Sequence, residues 1–253
     1  MNNYNIEYKL VNNLVVPPHE GGIDLMVVMP FYNEGESLAY VVGQWVEVLE
    51  SSCPNYQIVL VADKPRDNSV EVAKSLIREN PKLVLLENSQ NIGHGQSCLR
   101  GYTVAVSMGA DWVLQVDSDG QCDPSYFPML WKRRSLGDLH QGVRVRRCDG
   151  CFRWCASRLL ELLVFVRTGK YLKDPNCPYR LMRGSILKEA VNKIPVSFDL
   201  ANIALSFVFE KNNTPAKYFP IVFLNRYAGV PTVSFNVLAK KALQLWTNFP
   251  QIS

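Results

Sequence analysis

The sequence of 253 residues lacks several features that would mark a membrane-spanning or secreted protein. No apolar run reaches the roughly 18 residues that a membrane-spanning helix requires. The N-terminal stretch MNNYNIEYKL lacks the basic and then apolar pattern of a signal peptide. The seven cysteines are an odd number in a chain without such a signal, so a disulfide framework is not expected. We therefore expect a cytoplasmic protein.

The charge is modest, with 20% charged residues, 47% hydrophobic residues and a net charge of +4. This composition fits one globular domain of the larger kind, and we expect no nucleic-acid partner. The basic residues nevertheless crowd one stretch, which contains Lys132, Arg133, Arg134, Arg144, Arg146, Arg147, Arg153 and Arg158. Such a cluster indicates an anionic substrate or surface, and the alternative is a solvated helix face.

Short apolar runs alternate with longer amphipathic runs through the first two-thirds of the chain. Strands are predicted at Leu25–Met29, Gln57–Val61, Leu83–Leu86 and Trp112–Val116, and helices at Glu36–Leu49, Ser69–Arg78 and Gln96–Met108. This alternation predicts βαβ units and an α/β fold, a single Rossmann-like domain with a mainly parallel central sheet flanked by helices. The C-terminal third contains several prolines and shows a less regular pattern.

A polar segment follows each of the four predicted strands. These segments are Pro30–Glu34, Asp63–Asp67, Asn88–Gly95 and Asp117–Gln121. In open sheets of this kind, ligands bind beyond the carboxyl ends of the strands. Because all four segments should open on the same edge of the sheet, the sequence predicts a polar binding site there.

Asp117 and Asp119 are one residue apart directly after the fourth strand. An isolated pair of this kind is most simply a polar turn. Together with Gln121, however, the pair supplies the hard oxygen ligands that suit Mg²⁺ or Mn²⁺. A calcium-binding EF-hand loop is excluded, because Cys122 and Pro128 occupy the positions of its required glycine and glutamate.

Gly93 and His94 directly precede a predicted helix. Backbone N–H groups at such a helix start can bind phosphate, so we expect Gly93 and His94 in the substrate site. His94 as a loop residue without a role is the alternative. The segment lacks the Lys-Ser or Lys-Thr of a P-loop, since Gln96 and Ser97 follow its last glycine.

Four segments of the first half resemble motifs of glycosyltransferase family 2. They are VVMPFYNEGESL, VLVADKPRDNS, NIGHGQSCLRGYTVA and QVDSDGQCDP. Downstream, GVRVRR, RWCAS, DPNCPYRLMR and NRYAG resemble segments of the polyprenyl-phosphate sugar synthases, of which dolichol-phosphate mannose synthase is the familiar member. The resemblance covers about residues 26–229. It departs from the family pattern at Ala62, where an acid is usual, at Lys64-Pro65 in place of Gly-Ser, and at Pro178 in place of a glycine.

The resemblance implies a GT-A fold and a UDP- or GDP-linked sugar as donor. It implies that the nucleobase and ribose contact Pro30, Tyr32, Glu34 and Asp63, and that the metal bridging the diphosphate is held by Asp117, Asp119 and Gln121. It assigns the acceptor phosphate to Arg144, Arg153, Ser157 and Arg226, and Arg180 is expected among the substrate-binding residues. The whole chain would be one catalytic domain, with residues 24–122 binding the donor, residues 123–230 binding the acceptor and residues 231–253 forming a C-terminal helix.

The choice of acceptor decides which further residues are needed. A lipid phosphate is already anionic, so it requires cations such as arginine and no strong base. A saccharide hydroxyl requires a carboxylate base, for which Asp174 and Asp199 are the candidates. The arginine-rich stretch favours the phosphate acceptor. Together with the resemblance, this implies inverting transfer to a polyprenyl phosphate, which we expect on the inner face of the cytoplasmic membrane in a step of cell-envelope polysaccharide synthesis.

Two other classes of protein remain alternatives. One is a non-catalytic nucleotide-sugar-binding protein of the same fold, which only the departure at Ala62 supports. The other is a nucleotidyltransferase, which would need a glycine-rich loop where Phe31–Glu34 stands. The terminal stretch Val233–Trp246 fits either an interfacial amphipathic helix or a helix packed on the core.

Overall fold

The computed structural model of the chain describes residues 22–147, 162, 165–166, 169–195 and 198–227. The strands in this part are β1 (Leu25–Phe31), β2 (Tyr56–Ala62), β3 (Leu83–Glu87), β4 (Trp112–Gln115), β5 (Leu139–Arg147), β6 (Arg180–Arg183) and β7 (Ala216–Phe223). They form one sheet in the order β3-β2-β1-β4-β6-β5-β7. The first four strands are parallel, β6 is antiparallel to both of its neighbours, and β5 is parallel to β7.

The described helices cover both faces of the sheet. They are α1 (Leu38–Ser52), α2 (Ser69–Glu79), α3 (His94–Ser107), α4 (Phe127–Lys132), α5 (Gly184–Asn192) and α6 (Ala201–Lys211), and short 3-10 turns lie at Pro124–Tyr126 and Arg134–Leu136. Buried side chains form one apolar cluster with α3, α5 and α6 and a second with α1 and α4. Every residue of β1 and β2 is buried, as expected for strands that helices cover on both sides.

Glycine permits the close approach of α3 to the sheet. A Cβ atom added at Gly101 would lie 2.4 Å from a methyl group of Val28 on β1. The helix therefore packs with its axis near the strands, and its first turn lies beside their carboxyl ends.

The four strands and three helices predicted in the first two-thirds are confirmed, with ends that differ by at most three residues. The less regular sequence pattern of the C-terminal third did not reveal β6, α5, α6 and β7, which lie there. Both predicted halves of the chain contribute strands to the same sheet. The predicted helix over residues 231–253 lies outside the described residues.

Among the helices that the structure describes, none combines the length and the apolar character required to cross a bilayer.

Candidate active site

A cavity of about 580 Å³ opens at the carboxyl ends of β1, β2 and β4, on the edge that the sequence predicted. It is lined by Pro30, Phe31, Tyr32, Glu34, Asp63, Arg66, Asn91, Gly93, His94, Ser97, Asp117, Ser118, Asp119, Asp199 and Arg226. Each of the four polar segments that follow the first four strands contributes to this lining. The parallel arrangement of β1 to β4 is what brings them together.

The loop after β4 presents Asp117 and Asp119 to the cavity. Ser118 lies between them and donates a hydrogen bond from its hydroxyl to the backbone carbonyl of Pro30 at 2.9 Å, which ties the loop to the end of β1. The backbone N–H of Gln121 donates to Asp119 Oδ1 at 3.0 Å. Gly120 adopts a positive φ of 78°, a conformation that favours glycine, and so turns the chain away after the two carboxylates.

The carboxylates in this cavity are held in an unfavourable environment. Burial, followed by repulsion from Asp117, raises the pKa of Asp119 to about 6, although Arg226 acts in the opposite direction. Burial also raises the pKa of Glu34, and the Ser37 hydroxyl, which donates to Glu34 Oε2 at 2.7 Å, offsets part of this effect. The site therefore carries more negative charge than the surrounding protein neutralises, which favours a bound cation.

The possible metal ligands in the cavity suit a magnesium or manganese ion that also binds substrate and water. They suit a metal held entirely by protein side chains less well. Within the described residues, no group of three His, Cys, Asp or Glu side chains converges as a metal site. Asp117 and Asp119 offer two carboxylates on an open cavity, the arrangement in which Mg²⁺ completes its shell with substrate phosphates and water. The predicted third ligand, Gln121, needs correction: its side-chain amide donates to the carbonyl of Leu224 at 3.0 Å, and it does not line the cavity.

Arg226 reaches this site from the segment after β7. Its Nη2 atom lies 3.1 Å from Asp119 Oδ2, and its Nη1 atom lies 3.6 Å from Glu34 Oε1. A cation that follows β7 thus contacts one acid that follows β1 and one that follows β4.

Asp63 holds the polar loop after β3. Its carboxylate accepts hydrogen bonds from Asn88 Nδ2 at 3.0 Å, Ile92 N at 2.8 Å and Gly93 N at 2.9 Å. Asp63 also lines the cavity beside Pro30 and Tyr32. The side chain therefore fixes the shape of this wall, and any contact with a nucleotide would be made from an already immobilised carboxylate.

The first turn of α3 faces the cavity with Gly93, His94 and Ser97. A Cβ atom at Gly95 would lie 1.8 Å from the backbone oxygen of Asp199, so glycine is required for the segment before α6 to pack here. This packing brings Asp199 to the cavity, and His94 Nε2 lies 3.7 Å from Asp117 Oδ1. The helix start also directs positive partial charge toward the two aspartates.

Arg144 and Asp174 were predicted to act on substrate, and the structure pairs them with each other instead. Arg144 Nε donates to Asp174 Oδ2 at 2.8 Å, and the backbone N–H of Arg144 donates to the same oxygen at 3.0 Å. The two side chains are only 7% and 6% exposed, and neither lines the cavity. A carboxylate engaged in this way is a poor general base, because the ion pair stabilises its charged form.

Arg180 was also predicted to bind substrate, and its place is in the core. The side chain is fully buried. It donates to the backbone carbonyls of Pro175 at 2.9 Å, Cys177 at 2.9 Å and Asn202 at 3.1 Å. It therefore joins β6 to the segment before it and to α6, and its role is structural.

Arg153 and Ser157, predicted to contact the acceptor phosphate, lie outside the described residues. Sequence reasoning did not single out five residues that line the cavity: Phe31, Arg66, Asn91, Ser97 and Ser118. All except Ser97 lie in the polar segments that follow the strands, so position after a strand was the available signal. Arg66 is held there by its backbone N–H, which donates to Asn33 Oδ1 at 2.7 Å.

The sequence matches one protein family and several curated relatives of one description. Residues 26–193 match the model of a family described as glycosyl transferase family 2. An undecaprenyl-phosphate 4-deoxy-4-formamido-L-arabinose transferase of Edwardsiella ictaluri is 30% identical over 194 residues, which cover 76% of this chain and 59% of that protein. The protein of the same description from Pseudomonas fluorescens is 31% identical over 163 residues, which cover 64% of this chain and 47% of that protein. The chain thus spans about half to three-fifths of the length of these relatives.

Two solved structures resemble the chain in fold at low sequence identity. Glucosyl-3-phosphoglycerate synthase from Mycobacterium tuberculosis, in complex with Mn²⁺, UDP and glucosyl-3-phosphoglycerate, has a TM-score of 0.66 at 14% identity. The match covers 91% of this chain and 80% of that one. TarS of S. aureus, residues 1–349, has a TM-score of 0.52 at 16% identity, covering 78% and 58% of the two chains.

Proposed function

The chain belongs to glycosyl transferase family 2 and has the GT-A fold, and on this premise we propose that it transfers a sugar from a nucleoside-diphosphate sugar to a polyprenyl phosphate. The observation that carries the proposal is the meeting of Asp117, Asp119 and Arg226 in one cavity at the start of α3. Two acids and one arginine beside a helix start suit a donor diphosphate together with a second, anionic substrate.

The donor would lie across the carboxyl ends of β1, β2 and β4. Tyr32 and Asp63 line the part of the cavity in which the nucleobase and ribose of a UDP- or GDP-linked sugar would bind. Asp117 and Asp119 are the residues that would hold Mg²⁺ or Mn²⁺, which supplies neutralisation of the charge that develops on the leaving diphosphate. The N–H groups at the start of α3 would add partial positive charge on the same side.

The acceptor would be a lipid phosphate. The relatives from E. ictaluri and P. fluorescens carry undecaprenyl phosphate in their names, which supports this choice. A phosphate oxygen is anionic near neutral pH, so it can attack the anomeric carbon without a base and invert it. Arg226, already at the cavity, would hold that phosphate, and the resemblance adds Arg153 and Ser157. Arg144 is less suited to this role, because Asp174 engages its guanidinium.

A saccharide hydroxyl is the second candidate acceptor, and the position of Asp199 favours it. Asp199 lines the cavity and can act as a general base there, whereas Asp174 lies elsewhere. The alternative of a non-catalytic binding protein loses its support, because Ala62 is 1% exposed within the apolar core and does not line the cavity.

The experiment is to incubate the protein with membranes and radiolabelled UDP- and GDP-sugars, with Mn²⁺, and to extract with organic solvent. We expect label in the organic phase, and Arg153→Lys should lower that transfer while donor affinity is unchanged, because the charge stays and the guanidinium fork is lost. Label found only on soluble saccharides or protein would contradict the lipid acceptor and favour the hydroxyl.

A matched pair of variants tests the need for a base. Asp199→Asn keeps the packing against Gly95 and removes the only one of the two candidate bases that lines the cavity in the described part of the chain. Asp123→Asn, at a 3-10 turn away from the cavity, is its control. With a phosphate acceptor, we expect Asp199→Asn to retain kcat to within about tenfold, whereas loss of a general base lowers rates by about 10² to 10⁴. A protein that uses such an acceptor would work on the inner face of the cytoplasmic membrane.

A further inference from the structure

Arg226 lines the cavity beside Asp119, one of the two carboxylates proposed to hold the metal, and beside Glu34. It contacts Asp119 Oδ2 at 3.1 Å and Glu34 Oε1 at 3.6 Å. The Nε atom of Arg226 is buried and has no hydrogen-bond partner among the described residues, so one donor of the guanidinium group remains unused.

The segment Leu224–Tyr227, here called the arginine arm, is attached to the loop that carries Asp119. Leu224 N donates to the carbonyl of Gln121 at 3.1 Å, and Gln121 Nε2 donates to the carbonyl of Leu224 at 3.0 Å. Tyr227 N donates to the carbonyl of Asp119 at 3.1 Å. These bonds lie on both sides of Arg226, so the position of its side chain depends on how the arm lies on this loop.

The far end of the arginine arm is anchored outside the cavity by an aromatic stack. The rings of Tyr227 and Tyr40 lie with their centroids 4.4 Å apart and their planes at 22°. Tyr40 belongs to α1, does not line the cavity, and accepts a hydrogen bond from Gln44 Nε2 on its hydroxyl at 3.0 Å. Both rings are about half exposed, so the stack contributes little to the core.

We propose that Arg226 is a resident counter-ion of the metal site, which the divalent cation displaces, and that Tyr40 is a positioning residue that holds Arg226 there through Tyr227. This inference rests on the proposed function. A divalent metal ion bound to Asp119 would repel the guanidinium group of Arg226, because Nη2 of that group lies only 3.1 Å from Asp119 Oδ2. Arg226 lies in the same cavity as Asp117 and Asp119, so a bound donor diphosphate would lie near both the metal and the arginine, in addition to the acceptor phosphate assigned to Arg226 above, and the arginine would then favour binding.

The consequence is that removing Arg226 should change the affinity for Mn²⁺ in opposite directions without and with a nucleotide. A merely structural arginine would not produce this reversal. Removal of Arg226 should tighten the binding of Mn²⁺ alone, because the competing positive charge is gone. The same removal should weaken the binding of Mn²⁺ together with UDP or GDP, because one cation that faces the diphosphate is lost.

The test uses the full chain and measures free Mn²⁺ by electron paramagnetic resonance. The proteins are the unchanged chain, Arg226→Met, Arg226→Gln as a second neutral variant, and Arg226→Lys as the charge-retaining control. We expect both neutral variants to bind Mn²⁺ alone about tenfold more tightly, and Arg226→Lys to remain within about twofold of the unchanged protein. With UDP or GDP added, both neutral variants should bind Mn²⁺ more weakly than the unchanged protein does.

Tyr40 supplies a second, independent arm of the test. Tyr40→Ala removes the stack, so its affinity for Mn²⁺ should shift in the same direction as that of Arg226→Met, by about threefold. Tyr40→Phe keeps the stack and should match the unchanged protein. Thermal unfolding checks that both Tyr40 variants are as stable as the unchanged protein.

The outcomes separate the inference from the proposed function. If Arg226→Met and Arg226→Gln bind Mn²⁺ alone no more tightly than the unchanged protein, the counter-ion role is wrong, although Mn²⁺-dependent nucleotide binding would still support the glycosyltransferase. If Tyr40→Ala behaves as Tyr40→Phe does, the positioning role is wrong. If the unchanged protein binds neither Mn²⁺ nor either nucleotide, the proposed function and this inference both fail.

Discussion

Two groups of charged residues in this protein each contain a buried carboxylate but differ in what surrounds it. One comprises Asp117, Asp119 and Arg226 at the cavity, and the other comprises Arg144, Asp174 and Arg180 away from it. Asp119 is 5% exposed and Asp174 is 6% exposed, so burial does not distinguish them. Asp174 accepts several hydrogen bonds from Arg144, whereas Asp119 shares an open cavity with Asp117 and has a pKa that burial, followed by repulsion from Asp117, raises.

The difference teaches how a binding site can be told from a structural charge network. In the Arg144–Asp174–Arg180 group, protein atoms fill the positions of the partners, so nothing remains for a ligand to supply. In the Asp117–Asp119–Arg226 group, the two aspartates repel each other and the available cation contacts only one of them. An imbalance of charge at an open edge of the sheet is therefore the feature that indicates function.

The largest expected effect is on catalysis, at Asp119. Asp119→Ala should lower sugar transfer by about 10³-fold or more, because the leaving diphosphate loses the cation that offsets its charge. The fold should be retained, since burial already disfavours the charged carboxylate. Transfer is measured with saturating Mn²⁺, and unfolding is followed by circular dichroism. Asp123→Asn is the matched control, because Asp123 caps a 3-10 turn and does not line the cavity. Near-normal turnover by Asp119→Ala would remove Asp119 from the metal site.

Asp174 should show the reverse pattern. Asp174→Asn suits the local backbone, whose positive φ of 40° asparagine tolerates, but it removes the negative charge that pairs with the buried Arg144. We expect the free energy of unfolding to fall by about 3 to 5 kcal/mol, with donor KM unchanged in the folded protein. Urea denaturation gives the first quantity and steady-state kinetics the second. The double variant Arg144→Met/Asp174→Asn should recover part of the loss. A normal stability with a lost kcat would instead restore Asp174 as the base.

Arg180 is expected to matter for stability by a somewhat smaller amount. Arg180→Met preserves much of the side-chain volume but leaves the carbonyls of Pro175, Cys177 and Asn202 without their buried donor. The free energy of unfolding should fall by about 3 kcal/mol, from the loss of hydrogen bonds to buried groups. Calorimetry with UDP and GDP on the folded variant should give the affinity of the unchanged protein, and a selective loss of nucleotide binding would show that Arg180 acts on substrate.

The smallest of these effects is expected at Asp63. Asp63→Ala frees the loop that carries Asn88, Ile92 and Gly93 and should weaken nucleotide binding by about tenfold, even without metal. Calorimetry with UDP and GDP measures the affinity, and Asp138→Asn, at a carboxylate that pairs with Arg183 away from the cavity, is the control. Unchanged affinity for the nucleotide that binds would exclude Asp63 from the donor pocket.

The sequence by itself determined the strands, their parallel arrangement and the edge on which the site lies. Apolar runs such as those of β1 and β2 must be covered on both faces, and parallel strands bring the segments that follow them to one edge. The positions of Asp117, Asp119, Asp63 and Tyr32 follow from this rule, because each lies within a few residues of a strand end. The local sequence pattern is enough to predict the positions of such residues, because the strand that precedes them fixes where they lie.

Only the tertiary structure decided which of the charged residues of the acceptor half belong to the site. Arg144 and Asp174 are 30 residues apart, and Arg180 contacts a helix that begins about twenty residues later, so no local pattern reveals these partners. A charged side chain can be compensated either by a ligand or by another residue of the chain. The amino-acid sequence does not distinguish these two cases. Packing of β5, β6 and α6 gave partners to Arg144 and Arg180, and the arm after β7 brought Arg226 to Asp119. The physical reason is that a buried charge must be compensated, and the three-dimensional fold alone determines what lies close enough to do so.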